Sequence, residues 1–193
     1  MYQVSTQIVR PPIADDNHFW IPLERTLQVT QQPGVSINPP SMLIVTHRRA
    51  FEHYKFVCNR NVTVLCVGER TRDYLTAQGF EHIVYHKSAQ QILLDDRYNY
   101  FWLHGDKFKV NFRKEGVKYK ENVVAIKTYS TETLLDNVKE ITRVTPSIIS
   151  VYSQGQYNLI ESSGYIPDLL RVVPSVKMKK SEHWNQVEVF NPA

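Results

Sequence analysis

Cysteine is nearly absent from this 193-residue chain, which holds only Cys58 and Cys66. Their spacing fits neither a C-x-x-C centre nor a set of zinc ligands. Cys66 lies inside an apolar run, where a free thiol behaves as a small hydrophobe, and a reduced pair is the expectation. Several sequence patterns are missing too: GxxxxGK[ST], GxGxxG and G-x-S-x-G do not occur, which argues against nucleotide and serine-hydrolase chemistry. No apolar stretch approaches the roughly 20 residues of a membrane-spanning helix. The opening MYQVSTQIVRPP has no basic segment followed by an apolar run, so no signal peptide is read. A cytoplasmic protein with no membrane partner is expected.

Charge of one sign is not in large excess either. Lys and Arg total 23 against 19 Asp and Glu, giving a net charge of +4 and a pI near 9.0. That mild surplus suits an anionic ligand: nucleic acid, phosphate or a polycarboxylate. His82 and His86 flank the strand-like Ile83-Val84-Tyr85 and have no third ligand beside them, so no metal is expected. Asp95-Asp96 reads as a loop at a helix end. Low-complexity runs and fixed-period repeats are lacking.

What is present is an α/β alternation. A strand, a small or polar turn and an amphipathic helix recur four times: in SMLIVTHRRAFEHYKF, VTVLCVGERTRDYLTAQGF, YFWLHGDKFKVNFRKEG and SIISVYSQGQYNLIESSG. Gly79, Gly116 and Gly164 stand where each of the last three helices should stop. Further strands are read at His82 to Tyr85 and near Asn122 to Tyr129. The spacing predicts parallel β-α-β units and a doubly wound sheet. Prolines concentrate between residues 11 and 40, and Pro39-Pro40 marks a boundary. The expected organisation is a central α/β lobe over 38–129 and a reduced, discontinuous first lobe from 1–37 with 130–193.

Ligands of open parallel sheets bind beyond the carboxyl ends of the strands. There Thr46, Thr71 and Ser153 offer hydroxyls at helix starts, while Gly68 and Gly105 allow close approach to the backbone. Lys107 and Lys109, at the expected helix start beside Gly105, are placed to reach a carboxylate. Two lobes would present facing anion-binding turns to an elongated ligand with several negative groups. A Ser or Thr at a helix start also has an ordinary structural role, as a cap contributing about 1 kcal/mol. The segment from Lys107 to Lys120, with Phe108, Phe112 and Tyr119 among its basic residues, is an alternative RNA-binding surface.

VGERTRDYLTAQGF resembles the V-G-x-x-T-x-x-x-L-x-x-x-G signature of uroporphyrinogen-III synthases. In the same order, LIVTHRRAFEHY is similar to the family's F-T-S-x-x-A-V segment, with His47 in place of Ser. FWLHGDKFKVNFRKEGVKYKENVVAIKTY is similar to its strand–G-E–helix–G–strand segment, ending at Lys127-Thr128-Tyr129-Ser130 where the family has V-Y-x-T. SVYSQGQYNLI and IVRPP match its second strand-Ser-helix and its opening T-R-P.

The resemblance implies two flavodoxin-like lobes joined by a pair of strands. It implies a monomer without cofactor or metal that converts hydroxymethylbilane, a linear tetrapyrrole polycarboxylate, into uroporphyrinogen III with ring D inverted. Transient contact with the preceding pathway enzyme also follows from it. Tyr129 matches the family's functional tyrosine, which assists departure of the terminal hydroxyl. Thr71 matches the signature threonine, and Thr46, Gly68, Gly105, Lys107, Ser153 and Arg10 complete the implied substrate contacts. Beyond Ser153 the chain shows no second G-x-x-T unit and no final strand-helix pair. A non-catalytic module of the same fold, holding an anionic tetrapyrrole or a protein partner, is the alternative.

Overall fold

The computed structural model describes residues 2–8, 11, 16–115, 118–178 and 183–191. The chain forms two compact units, one of Met1–Thr26 with Glu132–Ala193 and one of Leu27–Thr131. Each is a mixed α/β unit built on a five-stranded parallel sheet.

The first unit begins with β1 (Gln3–Ser5) and β2 (His18–Trp20), which pair in parallel. The chain then leaves along β3 (Glu24–Gln28). In the second unit, β4 (Met42–Val45) is an MLIV run buried along most of its length. A near-continuous apolar strand is what a sheet covered on both faces requires. It leads into α1 (Arg48–Glu52), whose cap is His47. Next come β5 (Thr63–Val67) and α2 (Glu69–Ala77). Gly68 opens α2 at φ 82°, and Gly79 follows its end at φ 88°, the left-handed region where a Cβ is disfavoured. Leu75 of α2 is fully buried, contributing about 1.5–3 kcal/mol.

The sheet is completed by β6 (Ile83–His86), β7 (Tyr100–His104) and, after a short antiparallel hairpin of β8 (Lys114–Glu115) and β9 (Lys118–Tyr119), β10 (Val123–Lys127). The strand order is β10-β7-β4-β5-β6. One face is covered by α1 and α2, through Ala50, Phe51 and Leu75 packed on Leu43, Val45 and Leu103. The other face carries Ile92, Val110 and Phe112 on Ile44, Tyr100 and Trp102. No helix spans that second face among the described residues; loops and a 3-10 turn at Ala89–Gln91 cover it.

The helix expected after Gly105 is therefore absent, and its expected stop, Gly116, lies outside the described residues. Val110 and Phe112 both enter the core under Trp102, and the Phe108 ring meets the same indole edge-on at 4.9 Å. Residues two apart share one direction in extended chain, whereas a helix would turn Val110 away from Phe108.

The chain returns along β11 (Tyr129–Thr133), which pairs with β3. α3 (Leu135–Val144), β12 (Ile148–Val151) and α4 (Gln154–Ser163) follow, and Gly164 closes α4 at φ 72°. The stretch in which the sequence shows no final strand-helix pair supplies two strands, β13 (Leu169–Val172) and β14 (Val187–Val189), with no α-helix after α4 among the described residues. They complete a sheet of order β14-β13-β12-β1-β2. Its core joins Val4, Ile149, Val151, Leu170 and Val172 to Ile141, Tyr157 and Ile160 of the helices, and to Trp184.

Candidate functional site

A cavity of about 560 Å3 lies in the second unit at the carboxyl ends of its strands, the position at which open parallel sheets bind ligands. Thr46 and His47 border it after β4, Val67 ends β5, and the Lys87–Gln90 turn follows β6. The chain from His104 to Val110 and Tyr129 close the remaining sides. Five of the residues read in sequence as ligand contacts thus share one cavity: Thr46, Gly105, Lys107, Lys109 and Tyr129.

Tyr129 is 8% exposed, and its ring lies against Gly105. A Cβ on Gly105 would stand 2.5 Å from Cζ of that ring, so glycine is what admits the tyrosine. Two backbone ties hold the start of β11 in place. Thr128 donates its N–H to the His104 carbonyl at 2.9 Å, and both Asp106 carboxylate oxygens accept from the Thr131 N–H at 3.1 Å. Burial raises the Tyr129 pKa above its ordinary value; Arg49 opposes this, while Asp106 and Glu52 add to it. The phenol stays protonated and is a hydrogen-bond donor at neutral pH.

Lys87, Lys107 and Lys109 give the cavity its cationic edge. Lys107 reaches it from irregular chain rather than from a helix start, since no helix follows Gly105. Of the aromatic residues proposed for RNA stacking, Phe112 is 5% exposed and faces the core.

Two imidazoles in this cavity were not among the residues picked from the sequence. His104 stacks on Trp102 with ring centroids 4.3 Å apart and meets Phe108 edge-on at 5.4 Å. Its Nδ1 lies 2.7 Å from the Gly105 carbonyl oxygen. Burial lowers the His104 pKa, helped by Lys127 and opposed by the Gly105 bond. His47 accepts the Arg49 N–H at Nδ1, 3.2 Å away. Crowding by the surrounding chain, then Arg49 and Arg48, push His47 down to about 4, although its side chain keeps solvent contact. A His closing a buried strand just before a turn is the one signal that marked His104 in advance.

The other expected residues stand apart from the cavity lining. Gly68 and Thr71 belong to the start of α2, next to Val67. Thr71 is 6% exposed within the first turn, with its N–H on the Gly68 carbonyl at 3.1 Å. Ser153 is in the first unit, where its Oγ caps α4 by accepting the Gln156 N–H at 3.2 Å. The same hydroxyl donates to Glu24 Oε2 at 3.3 Å. Glu24 is 5% exposed, and its other oxygen would lie 2.9 Å from a Cβ on Gly155. The protein's own carboxylate thus occupies the start of α4. Arg10 lies outside the described residues.

A second concavity of about 550 Å3, near Thr76, Gly79 and Glu81, is open to solvent and reaches Ile83 at the amino end of β6, and its Arg72 is paired with Asp73 at 2.8 Å. Among the described residues no group of three His, Cys, Asp or Glu is placed to hold a metal ion. No described helix is long and apolar enough to cross a membrane.

No protein-family model matches the chain, and no curated protein matches it. Among solved structures it is similar to uroporphyrinogen III synthase of Thermus thermophilus at 10% identity. That similarity covers 97% of this chain and 93% of that chain with a TM-score of 0.34, too slight to assign family or activity.

Proposed function

We propose that the chain binds hydroxymethylbilane and cyclises it to uroporphyrinogen III. The observation that supports this reading most is the buried, protonated phenol of Tyr129 seated on Gly105 in a lysine-edged cavity, at the position where the sequence resembles the synthases. A linear tetrapyrrole closes unaided to the uninverted isomer, so the enzyme's task is to hold its carboxylates in one attack geometry. Thr46, Lys107 and Lys109 would contact carboxylates, and the Tyr129 phenol would donate a hydrogen bond to the departing hydroxyl. Gly68 and Thr71 are carried as further contacts by the sequence resemblance alone.

The test supplies freshly made hydroxymethylbilane and separates uroporphyrin isomers I and III after oxidation. Isomer III above the protein-free control is expected. Tyr129→Phe should lower turnover by about 10²-fold or more, as loss of a positioned proton donor does, with little change in melting temperature. Only isomer I from folded protein would refute the enzyme. A non-catalytic module binding an anionic tetrapyrrole is the second reading, favoured by one observation: Glu24 already fills the start of α4. Uroporphyrin binding without isomer III would select it.

A further inference from the structure

The two imidazoles of the cavity have no part in the cyclisation chemistry proposed above, yet their backbone partners fix what each presents. A carbonyl oxygen only accepts, so the His104 Nδ1 that lies 2.7 Å from the Gly105 oxygen carries the proton. In the neutral ring Nε2 is then a lone pair. A backbone N–H only donates, so the His47 Nδ1 facing the Arg49 N–H carries the lone pair. Its Nε2 then bears hydrogen. Both rings are held neutral near pH 7, His104 chiefly by burial and His47 by crowding and its two arginine neighbours. The rings come from adjacent strands, since β4 and β7 pair up to Val45 and Leu103. Trp102 and Phe108 fix the plane of His104.

We propose that His47 and His104 are a donor–acceptor pair that reads the ligand: His104 Nε2 accepts a hydrogen bond from a pyrrole N–H, and His47 Nε2–H donates to a carboxylate. This rests on the tetrapyrrole reading and adds its missing half. Lysine ammonium groups satisfy carboxylates but have no lone pair to offer. A pyrrole N–H taken out of water beside them loses its solvent partner unless an acceptor replaces it. His104 supplies that acceptor with its tautomer set in advance, so binding need not select it.

The test uses the full chain with labelled histidine and two probes, a pyrrole bearing acetate and propionate and its N-methyl analogue. Long-range ¹⁵N correlation should find Nε2 of His104 unprotonated in the free protein and shifted only by the N–H probe. The N–H probe should bind about five- to tenfold more tightly than its analogue, as one hydrogen bond allows. His104→Phe should abolish that preference and His104→Gln should largely retain it. His47→Asn, which keeps a cap acceptor but loses the ring N–H, should weaken both probes alike. A proton on Nε2 of His104, equal affinities in the wild type, or a preference that survives in His104→Phe would each overturn the pair. If isomer III forms while the probes bind equally, the pair alone falls. Failure of both probes at millimolar concentration would sink the pair and the tetrapyrrole reading together.

Discussion

Replacing Gly105 with alanine isolates the packing that sets Tyr129. The added Cβ would meet Tyr129 at 2.5 Å from Cζ, 2.7 Å from Cε2 and 2.9 Å from Cε1. To reach ordinary contact the ring must retreat by roughly 0.9 Å, and buried aromatic rings yield little. Gly105 is not among the residues at positive φ, so the cost is steric rather than conformational. Overpacking of this kind costs about 1–3 kcal/mol. For a chain of this size that is a fall of about 2–12 °C in Tm. Urea denaturation of Gly105→Ala, Tyr129→Ala and the double variant closes the cycle. Tyr129→Ala alone should cost about 3–5 kcal/mol, as other buried aromatics do. In its background Gly105→Ala should cost under about 0.5 kcal/mol, because the clash is gone. Simple additivity, or a neutral Gly105→Ala, would refute the contact and with it the placement of the phenol.

Two further outcomes are expected. Ser153→Ala removes the α4 cap and one donor to the buried Glu24 carboxylate, so stability should fall by about 1–2 kcal/mol in thermal melts. Because His47 is held to about 4 in the folded chain against 6.5 for a free imidazole, the unfolded chain binds the extra proton first. Stability should therefore be level above pH 6.5 and decline as pH falls toward 4. His47→Asn should flatten that decline in Tm against pH, though only modestly, since the exposed side chain is partly screened by water.

The parts of this fold legible in the sequence are those where period and punctuation agree. MLIV and TVLCV are short apolar runs that end at polar or glycine turns, and both became central strands. Gly79 and Gly164 sit just past helices at positive φ, as their place in the pattern demanded. The segment after Gly105 misled because Phe108 and Phe112 suit a helix by spacing while Val110 does not. Strands β13 and β14 were hidden by brevity and by Pro167 and Pro174 around LLRV. In the site, Tyr129 and Gly105 were found as separate motif residues. Their mutual contact was not visible, because nothing in a one-dimensional pattern reports a ring resting on a backbone. His104 and His47 were missed for a related reason: what distinguishes them is the partner of one nitrogen.

The position of β1 carries a consequence for how the protein is made. Gln3 pairs with Ile148, so β1 lies inside its sheet between β2 and a strand translated much later. The strands of the other sheet run from Met42 to Lys127, interrupted only by the local β8–β9 hairpin and by no strand of the first sheet. Closing a long loop has an entropic cost that rises with its length, so the contiguous sheet should form first. Pulse-labelled hydrogen exchange during refolding should show β4, β5 and β7 protected before β1, and the reverse order would contradict this. On the ribosome, β1 and β2 would emerge well before the strands that complete their sheet, leaving apolar Val4 and Phe19 uncovered while the cavity-bearing sheet assembles downstream of them.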